Sequence, residues 1–331
     1  MNKINLAMVG LGYWGPNILR SFNKIENVNV KYICDLDEKK LNSFKDMYPQ
    51  TLLTLKFQDI IEDKEVDAVV IATSAGSHYK LAKQALEAGK HVFVEKPITL
   101  DVKEAEELVK ISKESNKKLM VGHLLLYHPA VDFLKNYIDS GELGDIRYIY
   151  TTRVNLGKVR NEENAFWSLA PHDISVILYL LGQEPKKIWA KGESYLRDGV
   201  EDVVFSYLEF ENKVAAHIHA SWLDPHKTRK ITVVGTKKMA VFDDMQPVEK
   251  VCIYDKSVQQ RDDFNYYDEE YLYIQNGDIV TPQLSNIEPL YAECSHFIDC
   301  IVNDKKPRSD GENGVAVLKV LAGVEELLKK G

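Results

Sequence analysis

A glycine-rich turn between an apolar strand and a helix start most constrains how this chain can fold. Ile4 to Val9 is apolar, and Gly10-x-Gly12-x-x-Gly15 follows at once. A second apolar stretch, Val28 to Cys34, ends at Asp35, 20 residues after the last of these glycines. Such glycines permit a tight turn and close backbone approach, the helix N-terminus faces a pyrophosphate, and the acid bonds ribose hydroxyls. The pattern therefore predicts a dinucleotide-binding βαβ unit.

Asp35 also bears on which dinucleotide is bound. A carboxylate at this position accepts hydrogen bonds from a free 2′-hydroxyl and repels a 2′-phosphate. Lys39 and Lys40 follow closely and could attract such a phosphate. On balance the sequence favours NAD over NADP.

Composition limits the class of protein. The chain has 331 residues, 45% hydrophobic and 28% charged, which suits two globular domains. Its net charge of −8 argues against a general nucleic-acid or membrane binder. The four cysteines (Cys34, Cys252, Cys294 and Cys300) form no disulfide or zinc-ligand pattern, so no metal is expected. With neither a signal peptide nor a spanning apolar run, we expect a cytoplasmic protein.

Strand and helix patterns alternate up to residue 123 and then change. Alternation of this kind predicts right-handed crossovers and a parallel sheet, here a Rossmann dinucleotide-binding domain over residues 1–123. From Ile146 the pattern has period two, which predicts an open, mostly antiparallel sheet with a helix from Pro171 to Leu181. Residues 255–285 are polar and tyrosine-rich and are predicted to form a long loop. The closing helices are predicted at 289–302 and 314–330.

The second domain, residues 124–331, is therefore predicted to be an α+β domain for substrate binding and oligomerisation. Whether its final helices pack on the first domain is left open.

Lys96 is the first candidate for chemistry. It follows the apolar run His91 to Val94, and Pro97 follows it. Ligands of open α/β sheets bind at the carboxyl ends of the strands, so this lysine is aimed at the dinucleotide site. A lysine whose pKa is lowered by burial can move a proton, as alcohol oxidation requires. The alternative is a lysine that only pairs with Glu95.

Histidines supply the next candidates. His172 follows Pro171 at a predicted helix start, and a histidine titrates in the range that suits a general base. The alternative is a histidine with only a structural role at the helix start. His78 follows the polar loop residues Thr73 and Ser74, which could bond the ribose or phosphate; it could equally be a helix-start residue without a ligand. His123 follows the last strand of the first domain and could line a cleft.

Arg153, Lys158 and Arg160 form a basic cluster around Asn155 in an acidic protein. Such a cluster suits a phosphate or carboxylate on the substrate. The alternative is a solvated loop, since many charge runs are no more than that.

Taken together, these motifs resemble the glucose–fructose oxidoreductase / inositol dehydrogenase family (Gfo/Idh/MocA), over nearly the whole chain. The resemblance rests on the glycine turn, Asp35, Thr73 to His78, Glu95-Lys96-Pro97, His172, and the closing Glu288-Pro289-Leu290-x-x-Glu293 and Gly311-x-x-Gly314. It is closer to the nucleotide-sugar branch through Tyr127-His128-Pro129, Arg153-Val154-Asn155 and Ala170-Pro171-His172-Asp173.

The resemblance implies an NAD-dependent dehydrogenase that oxidises the C3 hydroxyl of a nucleotide sugar such as UDP-N-acetylglucosamine. A PLP aminotransferase would convert the 3-keto product into a 3-amino sugar, and a homo-oligomer is expected. Lys96 and His172 would be the catalytic pair. The expected cofactor contacts are Gly10, Gly12, Tyr13, Trp14, Gly15, Asp35, Thr73, Ser74, His78, Glu95, Lys96 and Trp167. The expected substrate contacts are Lys96, His123, Tyr127, Arg153, Asn155, Lys158, Arg160 and His172.

One position departs from the family pattern. Members usually carry an aspartate four residues before the histidine, where this chain has Ser168. Either Lys96 and His172 suffice, which is our hypothesis, or a carboxylate such as Asp173 substitutes, or activity is reduced. The competing readings are a dehydrogenase or reductase of a free sugar or inositol, and a non-catalytic dinucleotide sensor.

Overall fold

The computed structural model describes residues 3–157, 159–160, 163–260 and 272–330. The elements in the first part of the chain are β1 (Ile4–Val9), α1 (Gly15–Asn23), β2 (Val28–Cys34), α2 (Glu38–Phe44), β3 (Leu52–Thr54), α3 (Phe57–Glu62), β4 (Ala68–Ile71), α4 (Ala75–Glu87), β5 (His91–Glu95), α5 (Val102–Glu114) and β6 (Leu119–Gly122). Those that follow are α6 (Pro129–Asp139), β7 (Ile146–Val154), α7 (Ala165–Leu169), α8 (Pro171–Leu181), β8 (Lys187–Glu193), β9 (Val203–Glu209), β10 (Ala215–Ser221), β11 (Thr228–Gly235), β12 (Met239–Asp243), β13 (Val251–Gln260), β14 (Leu272–Val280), α9 (Pro289–Val302) and α10 (Gly311–Leu328).

By its internal contacts the chain divides into two compact units. The first comprises Met1–Tyr127 and Ile287–Lys319, and the second comprises His128–Asn286 and Val320–Gly331. The contacts thus assign the turn at Leu124–Tyr127 and all of α9 to the first unit, whereas the sequence-based boundary lies at residue 123. Helix α10 contributes residues to both units.

The first unit is built on a six-stranded parallel sheet in the order β3-β2-β1-β4-β5-β6. This is the strand order of dinucleotide-binding domains, as predicted. Because the strands are parallel, their carboxyl ends meet at one edge of the sheet. The residues that follow β1, β2, β4, β5 and β6 there include Gly10, Asp35, Thr73, Lys96 and His123.

Three phenylalanines hold α9 within the first unit. Phe22 on α1, Phe93 on β5 and Phe297 on α9 are fully buried. Their ring centroids lie 5.7 to 6.1 Å apart in edge-to-face pairs. Such pairs add to the free energy gained from burying the rings, so a helix distant in sequence forms part of the first unit's core.

The second unit contains an eight-stranded sheet in the order β14-β13-β12-β11-β7-β10-β9-β8. Only β7 and β10 pair in parallel among its described strands, so the prediction of a mostly antiparallel sheet is confirmed. One face of β9 and β10 is buried. The opposite face, which we call the open face, carries exposed aromatic side chains: Tyr148, Tyr150, Trp189, Phe205 and Tyr207.

The prediction of a long loop over residues 255–285 was wrong where β13 and β14 run through it, and residues 261–271 lie outside the described part of the chain. Strand β13 pairs with β14 from Ile253↔Val280 to Gln260↔Leu272. Strand β14 is an edge strand and is exposed along almost all its length. Because such a strand has little buried surface, it needs no alternation of apolar and polar residues, and the sequence lacks the usual strand signal.

Two predicted helices begin earlier in the structure. Helix α4 starts at Ala75 rather than Tyr79, with Ser74 at the N-cap position. Helix α10 starts at Gly311 rather than Gly314. Glycines in the first turn of each helix weakened the sequence signal, because glycine has low helix propensity. In the described part of the chain, we find no helix with the length and apolarity needed to span a membrane.

Candidate active site

The glycine turn has the geometry needed to receive a pyrophosphate. Gly10 has φ +96°, and a Cβ there would lie 2.6 Å from the Ala72 carbonyl oxygen. A Cβ at Gly15 would lie 2.1 Å from the Gly10 carbonyl oxygen. A Cβ at Gly12 would have that same Ala72 oxygen as its nearest neighbour, at 4.0 Å, so this backbone is open to approach. The turn leads into the nine-residue helix α1, whose first N–H groups suit an anion.

Asp35 is fixed beside this turn. Its Oδ2 accepts a hydrogen bond from the Leu11 backbone N–H at 2.6 Å, and its Oδ1 accepts one from the Asp37 N–H at 2.9 Å. Each carboxylate oxygen has a further lone pair with which to accept from a ribose hydroxyl. Tyr13 and Leu36, which flank the turn and the carboxylate in sequence, are 93% and 91% exposed. Exposed apolar side chains of this kind suit the faces of an adenine ring, so these residues fit a dinucleotide.

Asp35→Asn is expected to reduce the preference for NAD over NADP by about tenfold or more, because a hydrogen bond to a charged group contributes roughly 1.5–3 kcal/mol. Asparagine keeps an oxygen for the Leu11 N–H, so the glycine turn should persist, although its NH2 group cannot accept from the Asp37 N–H. Fluorescence titration with both dinucleotides measures the ratio. Asp37→Asn, which alters the N-cap of α2 in the same loop, is the matched control and should leave the ratio unchanged.

His78 connects the loop after β4 to the segment after β5. Its Nδ1 lies 2.8 Å from the Pro97 carbonyl oxygen, and its Nε2 lies 3.2 Å from that of Thr73. Burial lowers the pKa of this imidazole, so the neutral ring donates one proton, best to the nearer Pro97 oxygen. His78 thus holds the backbone next to Lys96. Thr73 and Ser74 remain at the sheet edge, where Thr73 Oγ1 lies 2.7 Å from Ser77 Oγ.

Lys96 lies at the carboxyl end of β5, as predicted. Its backbone N–H donates to Glu95 Oε2 at 3.1 Å, and the Lys96–Pro97 peptide bond is cis. Its charge helps to lower the pKa values of both His78 and His123. The lysine therefore shares one sheet edge with the glycine turn and Asp35.

His123 and Tyr127 are held inside the first unit. Burial lowers the pKa of His123 to about 4, and its Nδ1 lies 2.7 Å from the Asn313 Oδ1. The neutral ring donates Nδ1–H to this amide, and its Nε2 is then an acceptor. The Tyr127 hydroxyl lies 2.9 Å from Ser309 Oγ, and the side chain is buried. This geometry gives Tyr127 a structural partner and does not support the expected substrate contact.

Sequence reasoning gave no chemical role to Glu293 on α9. Its side chain is completely buried in the first unit and its charge interacts with that of Glu95. The only sequence signal was the motif that begins at Glu288. The sequence of an apolar helix face with one acidic residue does not show which other residues lie near that acid in the fold.

In the second unit, His172 lies in the first turn of α8, which begins at Pro171 as predicted. Ser168 lies on the preceding short helix, α7. The neighbouring Asp173 is 1% exposed and cannot easily act as a substitute base, because both of its oxygens bind Arg153.

The structure gives Arg153 a different role from the expected one. Its Nε and Nη2 donate to the two Asp173 oxygens at 2.6 and 3.0 Å, and the side chain is 6% exposed. A buried guanidinium that is already bound in this bidentate manner has little left to offer a substrate anion. The pair instead ties β7 to the start of α8, and so positions the turn that carries His172.

The other predicted site residues of this unit that the structure describes each contact a different part of the chain. Arg160 is half exposed and lies 3.5 Å from Glu163. Asn155 is fixed through its backbone N–H to the Ser221 carbonyl. The Trp167 indole N–H donates to Glu325 at 3.0 Å, which does not support its expected cofactor contact. Lys158 lies outside the described residues.

A parallel sheet in this order, a glycine turn at its carboxyl edge, and an acid fixed beside that turn define a dinucleotide-binding oxidoreductase. The comparison with known families then identifies the class. Residues 4–123 match the oxidoreductase family with an NAD-binding Rossmann fold, and residues 131–241 match the C-terminal domain of the same family. The chain belongs to the Gfo/Idh/MocA family, and its cofactor is NAD, as the sequence predicted.

Individual relatives are distant. The chain is 27% identical to the UDP-N-acetylglucosamine 3-dehydrogenase of Acidithiobacillus ferrooxidans, over 80% of this chain and 81% of the relative. It is 25% identical to the NAD-dependent scyllo-inositol 2-dehydrogenase of Bacillus subtilis, over 92% and 88%. The solved structure of the Acidithiobacillus enzyme GnnA has a TM-score of 0.82 at 23% identity, covering 100% of this chain and 99% of that one. This last likeness supports the fold.

Proposed function

We propose that this protein oxidises the C3 hydroxyl of a nucleotide sugar such as UDP-N-acetylglucosamine to a 3-keto sugar. The observation that carries the proposal is the position of Lys96, which lies on the same sheet edge as the glycine turn and Asp35. A proton-accepting group beside a bound nicotinamide is what the oxidation of an alcohol requires.

In this reaction the chain's own residues manage the proton. The glycine turn and Asp35 hold the cofactor, and Lys96 accepts the proton of the substrate hydroxyl, with His172 as the second proton-handling group. When bound, NAD supplies the hydride acceptor. His78 and Glu95 hold the backbone of Lys96 from two sides, through the Pro97 carbonyl and the Lys96 N–H. A fixed position matters because proton transfer depends strongly on donor–acceptor geometry.

The choice of a nucleotide sugar rests on the relative named for UDP-N-acetylglucosamine 3-dehydrogenation. A 3-keto sugar is a substrate for a PLP aminotransferase, which would place this reaction before the synthesis of a 3-amino sugar. Arg160, which is half exposed, is a candidate contact for the diphosphate together with Lys158.

The second candidate is a dehydrogenase of a free sugar or inositol. The scyllo-inositol relative, which aligns with 92% of the chain, favours it. The two candidates differ in the need for an anion site, because a free polyol carries no phosphate.

The deciding experiment follows NADH absorbance after purified protein is mixed with NAD and UDP-N-acetylglucosamine. UDP-glucose, the acetamido uronate and scyllo-inositol are tested in parallel. A PLP aminotransferase and glutamate are included with the sugars to pull an unfavourable equilibrium. NADH or a UDP-3-amino sugar from one acetamido sugar supports the proposal. Turnover of inositol alone would favour the second candidate, and NAD binding without any turnover would favour a non-catalytic sensor.

Two double variants distinguish a nucleotide-sugar substrate from a free polyol in this assay. Replacing Lys158 and Arg160 with glutamine should raise KM for a nucleotide sugar by at least about tenfold, since the loss of even one charge-assisted contact costs roughly 1.5–3 kcal/mol. It should leave the KM for a free polyol unchanged. The control replaces Lys186 and Lys187, an exposed pair at the start of β8 in the same unit.

We also propose that the open face pairs with a second copy of this chain. Its aromatic side chains form a continuous patch, because Trp189 pairs across strands with Tyr207, and Phe205 with His219. A patch of this kind on one sheet can pair with its own copy about a two-fold axis. Sedimentation velocity should show a dimer or tetramer for the native protein and a smaller species for Phe205→Glu. An unchanged sedimentation coefficient for the variant would reject this interface.

A further inference from the structure

Glu293 is an acid without a visible partner in the first unit. The residue is 0% exposed, and neither carboxyl oxygen has a hydrogen-bond partner among the described residues. Ionised carboxylates are rarely left buried in this way, because desolvation strongly disfavours the charged form. Burial accordingly raises the pKa of Glu293 well above its usual value.

Glu95 is the acid nearest to Glu293 on β5, because Phe93, two residues earlier on the same strand face, packs against Phe297, one turn after Glu293 on α9, with 5.7 Å between their ring centroids. Glu95 is opposite Gly122 in the register of β5 and β6, and a Cβ on that glycine would lie 2.9 Å from Glu95 Oε1. The missing side chain at Gly122 therefore makes room for this carboxyl group. Burial raises the pKa of Glu95 to about 7, although Lys96 opposes the shift, and the charge of Glu95 in turn raises the pKa of Glu293.

We propose that Glu95 and Glu293 form one acid pair that holds a single proton beside Lys96. Two interacting carboxyl groups in an apolar setting favour the singly protonated state, since a second negative charge would be close to the first. The pair then presents one negative charge next to Lys96. Glu95 is the member that exchanges protons with solvent, because it keeps part of its surface accessible whereas Glu293 does not.

The consequence for catalysis rests on the proposed function. When Lys96 takes the proton from a substrate hydroxyl it becomes an ammonium ion, and the carboxylate of the pair stabilises this charge. Glu293 is thus a positioning residue that acts through Glu95 on the proton affinity of Lys96.

Tyr127 and Cys294 are titratable groups near the pair, and Glu288 and Arg308 are charged groups near it. Burial raises the pKa values of Tyr127 and Cys294, with the nearby acids adding to the effect, so both stay protonated at neutral pH. Glu288 lies at the exposed start of α9, and the Arg308 guanidinium lies 5.2 Å from the centroid of the Tyr127 ring. Among these groups, Glu95 is the one whose pKa lies near neutral, at about 7.

The first test is infrared spectroscopy of the whole protein, without substrate. Above about pH 7, where exposed carboxyl groups are ionised, the native protein should keep the carbonyl band of a protonated carboxylic acid. Glu293→Gln should lose it, and Glu288→Gln, an exposed position on the same helix, should keep it. In Glu95→Gln the band should disappear at a lower pH than in the native protein, because the neighbouring charge is gone.

The second test is thermal stability against pH. A carboxyl group whose pKa is raised by folding binds a proton on folding, so its contribution to stability falls as pH rises from its unfolded pKa through its folded pKa. The Tm of Glu293→Gln relative to the native protein should therefore increase from about pH 5 to about pH 9. Glu288→Gln should give a constant difference. Parallel curves together with an acid band that persists in Glu293→Gln would overturn the proposal.

If Glu293→Gln does not fold, the pair is tested with Glu95→Gln, in which the carbonyl band should disappear at a lower pH than in the native protein. With a substrate in hand, Glu95→Gln should also move the acidic limb of kcat/KM to lower pH, because loss of a neighbouring carboxylate lowers a lysine pKa. Neither the spectra nor the melting curves need a substrate. If the spectra and the melting curves show the differences expected above but no substrate is turned over, the proposed function is contradicted and the acid pair is supported.

Discussion

Lys96→Met is expected to lower kcat by about 10² to 10⁴-fold, the range over which a positioned general base contributes. Methionine keeps the length and apolar stem of the lysine but cannot accept a proton. The protein should still bind NAD, because the glycine turn and Asp35 lie on other strands. Steady-state NADH production with the substrate identified by the assay above measures kcat, and fluorescence titration measures NAD binding.

The matched control is Lys103→Met, an exposed lysine in the first turn of α5 of the same unit. It should leave kcat unchanged. If Lys96→Met retained more than about a tenth of kcat, a general-base role for Lys96 would be rejected, since the loss would fall below the range for such a group. His172 would then be the candidate for the general base.

Arg153→Met is expected to destabilise the second unit by about 3–5 kcal/mol, because it leaves the buried Asp173 carboxylate without its partner. Both side chains are nearly inaccessible, and the pair is bidentate. A loss of this size corresponds to a fall in Tm on the order of 10 °C. Differential scanning calorimetry measures it directly.

A double variant separates two contributions to stability: the cost of leaving one buried charge unpaired, and the net contribution of the ion pair itself. Arg153→Met with Asp173→Leu removes both charges, and most of the lost stability should return. Arg147→Met, at an exposed position on the same strand, is the control. If Arg153→Met kept its Tm but lost affinity for substrate, the substrate contact expected from the sequence would be correct and the structural role wrong.

The first unit could be predicted well from sequence because its signals are local. The glycine turn, Asp35 and Lys96 each follow an apolar strand, and parallel strands bring their carboxyl ends to one edge. The hairpin of β13 and β14 could not be predicted, because an exposed edge strand carries no periodic burial. The family and the cofactor followed from the same local motifs, and both are confirmed.

The side-chain pairings near the candidate site could not be predicted, for a different reason. Arg153 was expected to bind an anion because basic residues cluster near it in sequence. Its partner, Asp173, lies 20 residues away and was considered only as a substitute base. The carboxyl groups of Glu95 and Glu293 are separated by most of the chain. Pairings of this kind depend on how strands and helices pack, and a single sequence does not show them.

The route of the chain through the first unit limits how this protein can be divided. A fragment ending at Tyr127 would contain every strand of the parallel sheet, yet it would lack α9 and the segment that follows it. The Phe22 and Phe93 rings would lose Phe297. Strand β6 would lose the backbone bonds from Val121 N–H to the Ser309 carbonyl and the bridge between Met120 and Asp310. An unpaired apolar edge invites pairing with other chains, so a nucleotide-binding module cannot be excised from this protein by a single cut.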